Sequence, residues 1–188
     1  LKVRNVLDIM SYDGEFLKLF YAKGLAKGLE VAASDYLVNN LNYFAKEFSC
    51  KTYLIDSNNA FVDLDNESVD LMTFIFQLNF TPEPTKLVEA MSQKLKSGAH
   101  IFVATIEESW YKKCIKNLFK SYRQYILGEE YNIYENNPFY KIGPIKKIGS
   151  NQAKNIFSQV GLHLVKQGLV VNHKAAGIKI SFYLFRKG

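Results

Sequence analysis

The apolar positions of the chain alternate between two rhythms. VRNVLDI (3–9), LAKGLEVA (25–32), KTYLID (51–56), SVDLMTFIF (68–76) and HIFVATI (100–106) are short apolar runs of strand length. Between them, GEFLKLFYAKG (14–24), SDYLVNNLNYFAKEF (34–48) and TKLVEAMSQKLKSG (85–98) carry apolar residues at helical spacing. In the second of these, Leu37, Leu41, Phe44, Ala45 and Phe48 fall on one face, and Ser34 stands where a helix N-cap belongs. Pro84 precedes the third, and Gly98 is placed to close it. Strands that are apolar on both faces, alternating with helices, predict a mostly parallel sheet covered on both sides.

The rhythm breaks after residue 106. Residues 107–150 are rich in Tyr, Asn, Lys and Pro, and WYKKCIKNLFKSYRQYIL (110–127) fits an amphipathic helix with a basic outer face. NQAKNIFSQVG (151–161) reads as a short helix closing on Gly161. LHLVKQGLVV (162–171) and GIKISFYLFRK (177–187) then read as an antiparallel hairpin.

Composition narrows the class. A length of 188 residues gives one domain with a full core. No apolar run approaches the ~20 residues that cross a bilayer, and no secretory signal is present. Cys50 and Cys114 are too far apart for a metal site or a disulfide framework, and the three histidines are scattered. The thiols read as reduced and buried, in an intracellular, cytoplasmic protein. The chain opens on Leu1 with a strand almost at once, which reads as a fragment of a longer protein. An apolar patch near the first strand is then expected, covered by an adjoining domain or protein.

The net charge of +6 is unevenly spread: residues 136–188 hold nine Lys or Arg and no acid, while the first 135 are net −3. The basic third favours an anionic partner such as RNA, a phosphorylated small molecule, a membrane surface or an acidic protein face. A general bias toward Lys and Asn accounts for it equally well.

The candidate chemistry lies in VLDIMSYDGEFLKLF (6–20), a strand, a tight turn and a helix. This arrangement makes a nucleotide-binding loop when glycines let the backbone approach the ligand. Gly14 is present, but Met10 and Tyr12 stand where two further glycines would be.

Five ordered stretches give the chain a resemblance to the class I S-adenosylmethionine-dependent methyltransferases. VLDIMSYDG (6–14) is similar to the family's first motif, roughly VLDIGCGTG. GLEVA (28–32) is similar to the end of its strand 2, and DNESVDLMTFIFQLNF (65–80) to its DxSFDLV segment and the turn after strand 4. PTKLVEAMSQKLKSGAHIFVAT (84–105) resembles the helix and LKPGG turn before strand 5, and FSQVGLHLV (157–165) the passage into strand 6. The resemblance implies a Rossmann-like α/β fold with a seven-stranded sheet in the order 3-2-1-4-5-7-6, strand 7 antiparallel.

It also implies S-adenosylmethionine as cofactor and a site. Asp8 would lie near the amino end of the methionine tail, with Met10, Tyr12 and Gly14 in the loop beneath the cofactor. Glu30, with Val31 beside it, would take the ribose hydroxyls, because a carboxylate offers two adjacent acceptors. Asp56 or Asn58 would face the adenine, and Phe76 and Gln77 the reacting methyl. With side chains at positions 10 and 12 the loop is expected to have changed shape, since non-glycine residues resist φ > 0. The insert at 107–150 would form a lid that selects the acceptor, a small molecule or RNA, and Glu107 and Glu108 are placed to line its pocket or to sit in solvent. No Asn-Pro-Pro-Tyr stretch follows strand 4, which argues against the nucleic-acid amino-methylating enzymes that carry it. Two readings stand: an active methyltransferase, or a pseudo-methyltransferase that keeps the fold as a binding or scaffolding domain of a larger protein, with RNA among its candidate partners.

Overall fold

The computed structural model describes residues 2–55, 60–61, 63–81, 83–106, 150–172 and 178–188. The proposed lid at 107–150, apart from Ser150, the amphipathic segment 110–127, Cys114, Glu107, Glu108, Asp56 and Asn58 lie outside the described residues.

The elements follow the sequence rhythm. β1 (Asn5–Ile9), α1 (Glu15–Ala22), β2 (Glu30–Asp35), α2 (Val38–Phe48) and β3 (Lys51–Leu54) form the first half. β4 (Val69–Ile75), a 3₁₀ turn (Gln77–Asn79), α3 (Pro84–Lys94), β5 (Leu95–Ile106), α4 (Ser150–Ser158), β6 (Leu162–Asn172) and β7 (Ile178–Lys187) form the second. The sheet has seven strands in the order β3-β2-β1-β4-β5-β7-β6. β1, β2, β3, β4 and β5 pair in parallel, and β7 runs antiparallel to both β5 and β6. This is the expected doubly covered Rossmann-like layout.

Each face of the sheet has its own apolar layer. Val6, Val31 and Ala33 pack with Leu17 of α1 and Leu41 and Phe44 of α2. Leu7, Ile9, Met72, Phe74, Ile101 and Val103 pack on the other face with Leu87, Val88 and Met91 of α3 and Ile156 and Phe157 of α4. β1 is therefore closed on both sides: Val6, Leu7 and Ile9 are at most 3% exposed. Among the described residues, β1 itself exposes no apolar patch, because α1 and α2 cover the face on which one was expected.

Several boundaries differ from those expected. β2 begins five residues later than expected and ends on Asp35, not near Glu30. Residues 24–29 instead form tight turns, in which Lys27 N–H donates to Gly24 O and Leu29 N–H to Ala26 O, with Gly24 and Gly28 at positive φ. Ser34 lies inside β2 and does not cap α2. α3 stops at Lys94, where Leu95 turns extended and pairs with Val69, and Gly98 takes its φ of 75° in the irregular start of β5. Pairing with β4 decides that boundary over helix propensity.

The amino ends of the central strands are pinned together. Asp70 Oδ2 accepts the N–H groups of Arg4 and Asn5, both at 2.9 Å, and Lys96 Nζ donates to Asp70 Oδ1 at 2.8 Å. The opposite, carboxyl ends carry the loops that matter for function.

Candidate cofactor site

Strand order reverses between β1 and β4, since β2 and β3 lie to one side of β1 and β5 to the other side of β4. In open α/β sheets a ligand crevice forms outside the carboxyl ends of the strands at such a reversal. Its walls here are the loop after β1 (residues 10–14), the end of β2 and the turn after β4.

The β1 loop keeps a glycine-like path without the glycines. Met10 has φ 56°, Tyr12 φ 57° and Gly14 φ 73°. Alternate residues thus adopt the left-handed conformation at the very positions where the first motif would carry glycine. The expectation that Met10 and Tyr12 had reshaped the loop is not met. Each holds an unfavourable φ at a cost of roughly 1–2 kcal/mol. Such strain persists only where the surroundings over-determine it. Met10 turns into the apolar layer and is 4% exposed, and Tyr36 donates its hydroxyl hydrogen to Met10 Sδ at 3.4 Å. Gly14 begins α1, and a Cβ there would stand 3.1 Å from the Phe44 ring, so both its φ and its packing require glycine.

Asp35 ties the loop to the end of β2. Asp35, 5% exposed, accepts Tyr12 N–H on Oδ2 at 2.8 Å and Leu37 N–H on Oδ1 at 3.0 Å. Ser11 N–H donates to Ser34 O at 2.8 Å and completes the tie. Burial pushes the Asp35 carboxyl up to about 6 against the opposing pull of its backbone hydrogen bonds.

Asp8 sits deeper, at the register of Thr73 on β4, whose hydroxyl donates to Asp8 Oδ1 at 2.5 Å. Burial raises the Asp8 carboxyl to about 7, with the Thr73 and Ser11 hydroxyls opposing and the nearby Asp35 reinforcing the rise.

Glu30 and Val31 are not part of this arrangement. Glu30 is the exposed first residue of β2, paired with Asn5, and Val31 is buried against Val6. Five residues of strand, about 16 Å, separate Glu30 from the carboxyl end. The strand-end acid is Asp35. Its spacing from Gly14 was the missed signal: Asp35 follows Gly14 by 21 positions, close to the ~20 at which a dinucleotide fold places its ribose-binding acid. Tyr36, half-buried beside it, was missed with it.

Phe76 and Gln77 lie where expected, at the carboxyl end of β4. Phe76 is a further strained position, with φ 62°, and its N–H donates to Ala104 O at 2.8 Å. In the same turn Asn79 is 1% exposed, and neither its amide nitrogen nor its oxygen has a hydrogen-bond partner. A buried primary amide with nothing to bond is rare in a folded protein.

No family model and no curated protein sequence matches the chain. Solved structures do. A SAM-dependent methyltransferase from Methanosarcina mazei aligns with all of this chain and 94% of its own, with 12% identity and a TM-score of 0.68. The 1,6-didemethyltoxoflavin-N1-methyltransferase of Burkholderia thailandensis, solved with 1,6-didemethyltoxoflavin and S-adenosylhomocysteine, matches 97% of this chain and 70% of its own at 12% identity and a TM-score of 0.62. The [4+2]-cyclase SpnF matches 98% of this chain and 74% of its own at 10% identity and a TM-score of 0.65. With its strand order, its antiparallel seventh strand and these neighbours, the chain has the fold of the class I S-adenosylmethionine-dependent methyltransferases.

Proposed function

We propose that the chain binds S-adenosylmethionine in the crevice between β1 and β4 and transfers its methyl group to a small-molecule or RNA acceptor. The observation that carries this reading is the β1 loop, which holds Met10 and Tyr12 at φ 56° and 57° and so preserves the path of a glycine-rich loop. A loop with no ligand to fit would have no reason to keep that strain.

The residues present fit the cofactor. Asp35 ends β2 beside the loop, where a carboxylate suits a ribose diol, although the Tyr12 and Leu37 N–H groups and the Asn40 amide already engage it. Tyr36 follows it with an aromatic ring at the adenine side. Asp8 places a buried carboxyl under the methionine side, and Phe76 and Gln77 border the reacting end. The cofactor supplies an electrophilic methyl on a sulfonium. The chain's contribution is to hold and align, which is the larger part of catalysis for a displacement of this kind.

Isothermal titration with S-adenosylmethionine and S-adenosylhomocysteine tests the reading. Micromolar binding is expected, weakened at least tenfold in Asp35→Asn and unchanged in Glu30→Gln, whose side chain lies at the far end of the strand. Absence of heat with millimolar ligand would refute it. Label from the cofactor methyl, chased into an RNA pool or a small-molecule extract, then separates the two acceptor classes.

A scaffolding domain is the second reading. It is favoured by Asp35, whose carboxylate is nearly buried and already ties Tyr12 and Leu37, and by the Met10–Tyr36 contact at the same mouth. SpnF shares the fold while its name denotes a cyclase, so the fold by itself does not fix the reaction.

A further inference from the structure

The face of β5, β7 and β6 turned away from α3 and α4 is laid out as a grid. Residues directly opposite each other on antiparallel strands share a face. The register therefore sets His100, Arg186 and His163 in one row and Phe102, Leu184 and Lys166 in the next. A third row places Phe182 between Ala104 and Gly168. The intervening Ile101, Val103, Tyr183 and Phe185 point the other way, into the layer under α3 and α4, and are at most 2% exposed. The grid is wetter: Phe102, Phe182 and Leu184 are half-buried, and Arg186, His163 and Lys166 are exposed. Among the described residues, the apolar layer of α1 and α2 takes in Leu71 of β4 but nothing from β5, β6 or β7.

Two features of this face select a partner. The first is its rings. A Cβ at Gly168 would stand 2.4 Å from Phe182, so that ring lies over the bare backbone of β6. Phe102 stacks beside it, with centroids 6.0 Å and planes 22° apart. Near-parallel, half-buried rings on a sheet offer a surface for planar groups. The second is charge. β6 and β7 contain no Asp or Glu, and among the described residues neither Arg186 nor Lys166 has an acidic partner. Two acids at this end of the sheet, Glu67 and Asp70, are engaged by Lys187 and Lys96. Burial, with the Arg186 guanidinium beside it, holds the His100 imidazole below its usual range. His100 is thus neutral at pH 7 and offers both a hydrogen-bond donor and an acceptor.

We propose that this face binds single-stranded RNA, with unstacked bases on Phe182 and Phe102 and phosphates on Arg186 and Lys166. Rows lie about 7 Å apart along the strands and neighbouring strands about 5 Å apart, so one nucleotide can touch a ring and a cation together. Charge complementarity calls for an anion, and the rings call for one that exposes flat faces. A duplex keeps its base faces stacked inside, and an acidic peptide would use the cations but not the rings. A neutral imidazole at His100 suits the 2′-hydroxyl, which DNA lacks. The grid lies on the flank of the strands, whereas the cofactor crevice lies outside their carboxyl ends, so this proposal stands apart from the cofactor reading.

Fluorescence anisotropy of a labelled oligouridylate of about a dozen nucleotides, titrated with the protein, tests this. Micromolar binding is expected at about 50 mM salt, with log K falling against log salt at a slope of about −1.4, since each phosphate met contributes about −0.7 in a single strand. Arg186→Gln and Lys166→Gln, both at exposed positions, should each halve that slope. Phe182→Leu and Phe102→Leu should each weaken binding about tenfold and leave the slope unchanged. Duplex RNA and oligodeoxyuridylate of the same length should compete about tenfold less well than the unlabelled RNA. Absence of binding, a slope that neither cation variant moves, or rings replaced without loss overturns the proposal. Equal competition by the duplex, the deoxy strand, polyglutamate or phosphatidylserine vesicles also overturns it, because each identifies a different partner. Calorimetry with S-adenosylmethionine, run on the same protein, keeps the two readings separate: its failure refutes the cofactor reading and leaves this one standing.

Discussion

At the residue scale, three side chains depart from what their surroundings favour. Tyr12 sits in the left-handed region at φ 57°. Replacing it by Ala and by Gly removes the ring equally, but only Gly relieves the backbone. Tyr12→Gly is therefore expected to be more stable than Tyr12→Ala by about 1 kcal/mol in urea unfolding, with the reversed order counting against strain at this position. Asn79 leaves two polar atoms buried and unbonded. A Leu of similar volume there is expected to raise the melting temperature by a few degrees, since the desolvation penalty of the amide, about 1–3 kcal/mol, disappears. Asp8 is raised from 3.8 to about 7 by burial. Because the folded state holds the proton more tightly than the unfolded chain, Asp8 favours folding at low pH. That contribution is lost as pH rises from about 4 to 7. Asp8→Asn is expected to flatten this decline and to gain at most about 4 kcal/mol at pH 8, as read by denaturant titrations across the range.

At the element scale, β6 and β7 show how a small residue can be fixed by a large neighbour. Gly168 on β6 pairs with Phe182 on β7, and a Cβ at Gly168 would stand 2.4 Å from the Phe182 ring. That ring also stacks on Phe102 of β5, with centroids 6.0 Å apart. Gly168→Ala is expected to cost about 1–3 kcal/mol by forcing the ring out of place. Phe182→Leu should recover part of this, and a double-mutant cycle measures the coupling. The hairpin and the parallel core were legible in the sequence, because apolar runs such as VLDI and LMTFIF are long and bounded by turns; the strand order came only with the family resemblance. The start of α2 was not. Ser34 looked like a cap because small hydroxyl residues usually precede helices, yet hydrogen bonding to β1 and β3 keeps it in the strand. That one misreading moved the strand-end acid from Asp35 to Glu30. The loop's conformation was equally hidden, since propensity argues against Met and Tyr at positive φ and only the tertiary setting reveals that they are held there.

On the scale of the whole molecule, the two ends of the sheet respond to pH in opposite directions. At the amino end, burial alone would raise the Asp70 carboxyl, but the Lys96 ammonium and the Asn5 and Arg4 amides outweigh it and hold it below the usual range. Its contribution is present above the ordinary carboxylate range and lost as pH falls through the lowered value. Asp70→Asn is expected to destabilise at neutral pH and to leave little further loss on acidification, in contrast to Asp8→Asn. Asp70 and Asp8 thus draw on different parts of the pH scale, one at the amino end of the sheet and the other toward its carboxyl end. Among the described residues, no helix is long and apolar enough to cross a membrane.

The double attachment of Asp35 has a kinetic corollary. The amides of Tyr12 and Leu37 share one acceptor group, so neither can be released without unsettling the other. Anything that competes for that carboxylate should quicken or slow deuterium uptake at both positions together, although they are 25 positions apart in the chain. The first turn of α2 would then report on the crevice from outside it, as a gauge needle reports pressure in a vessel it does not enter.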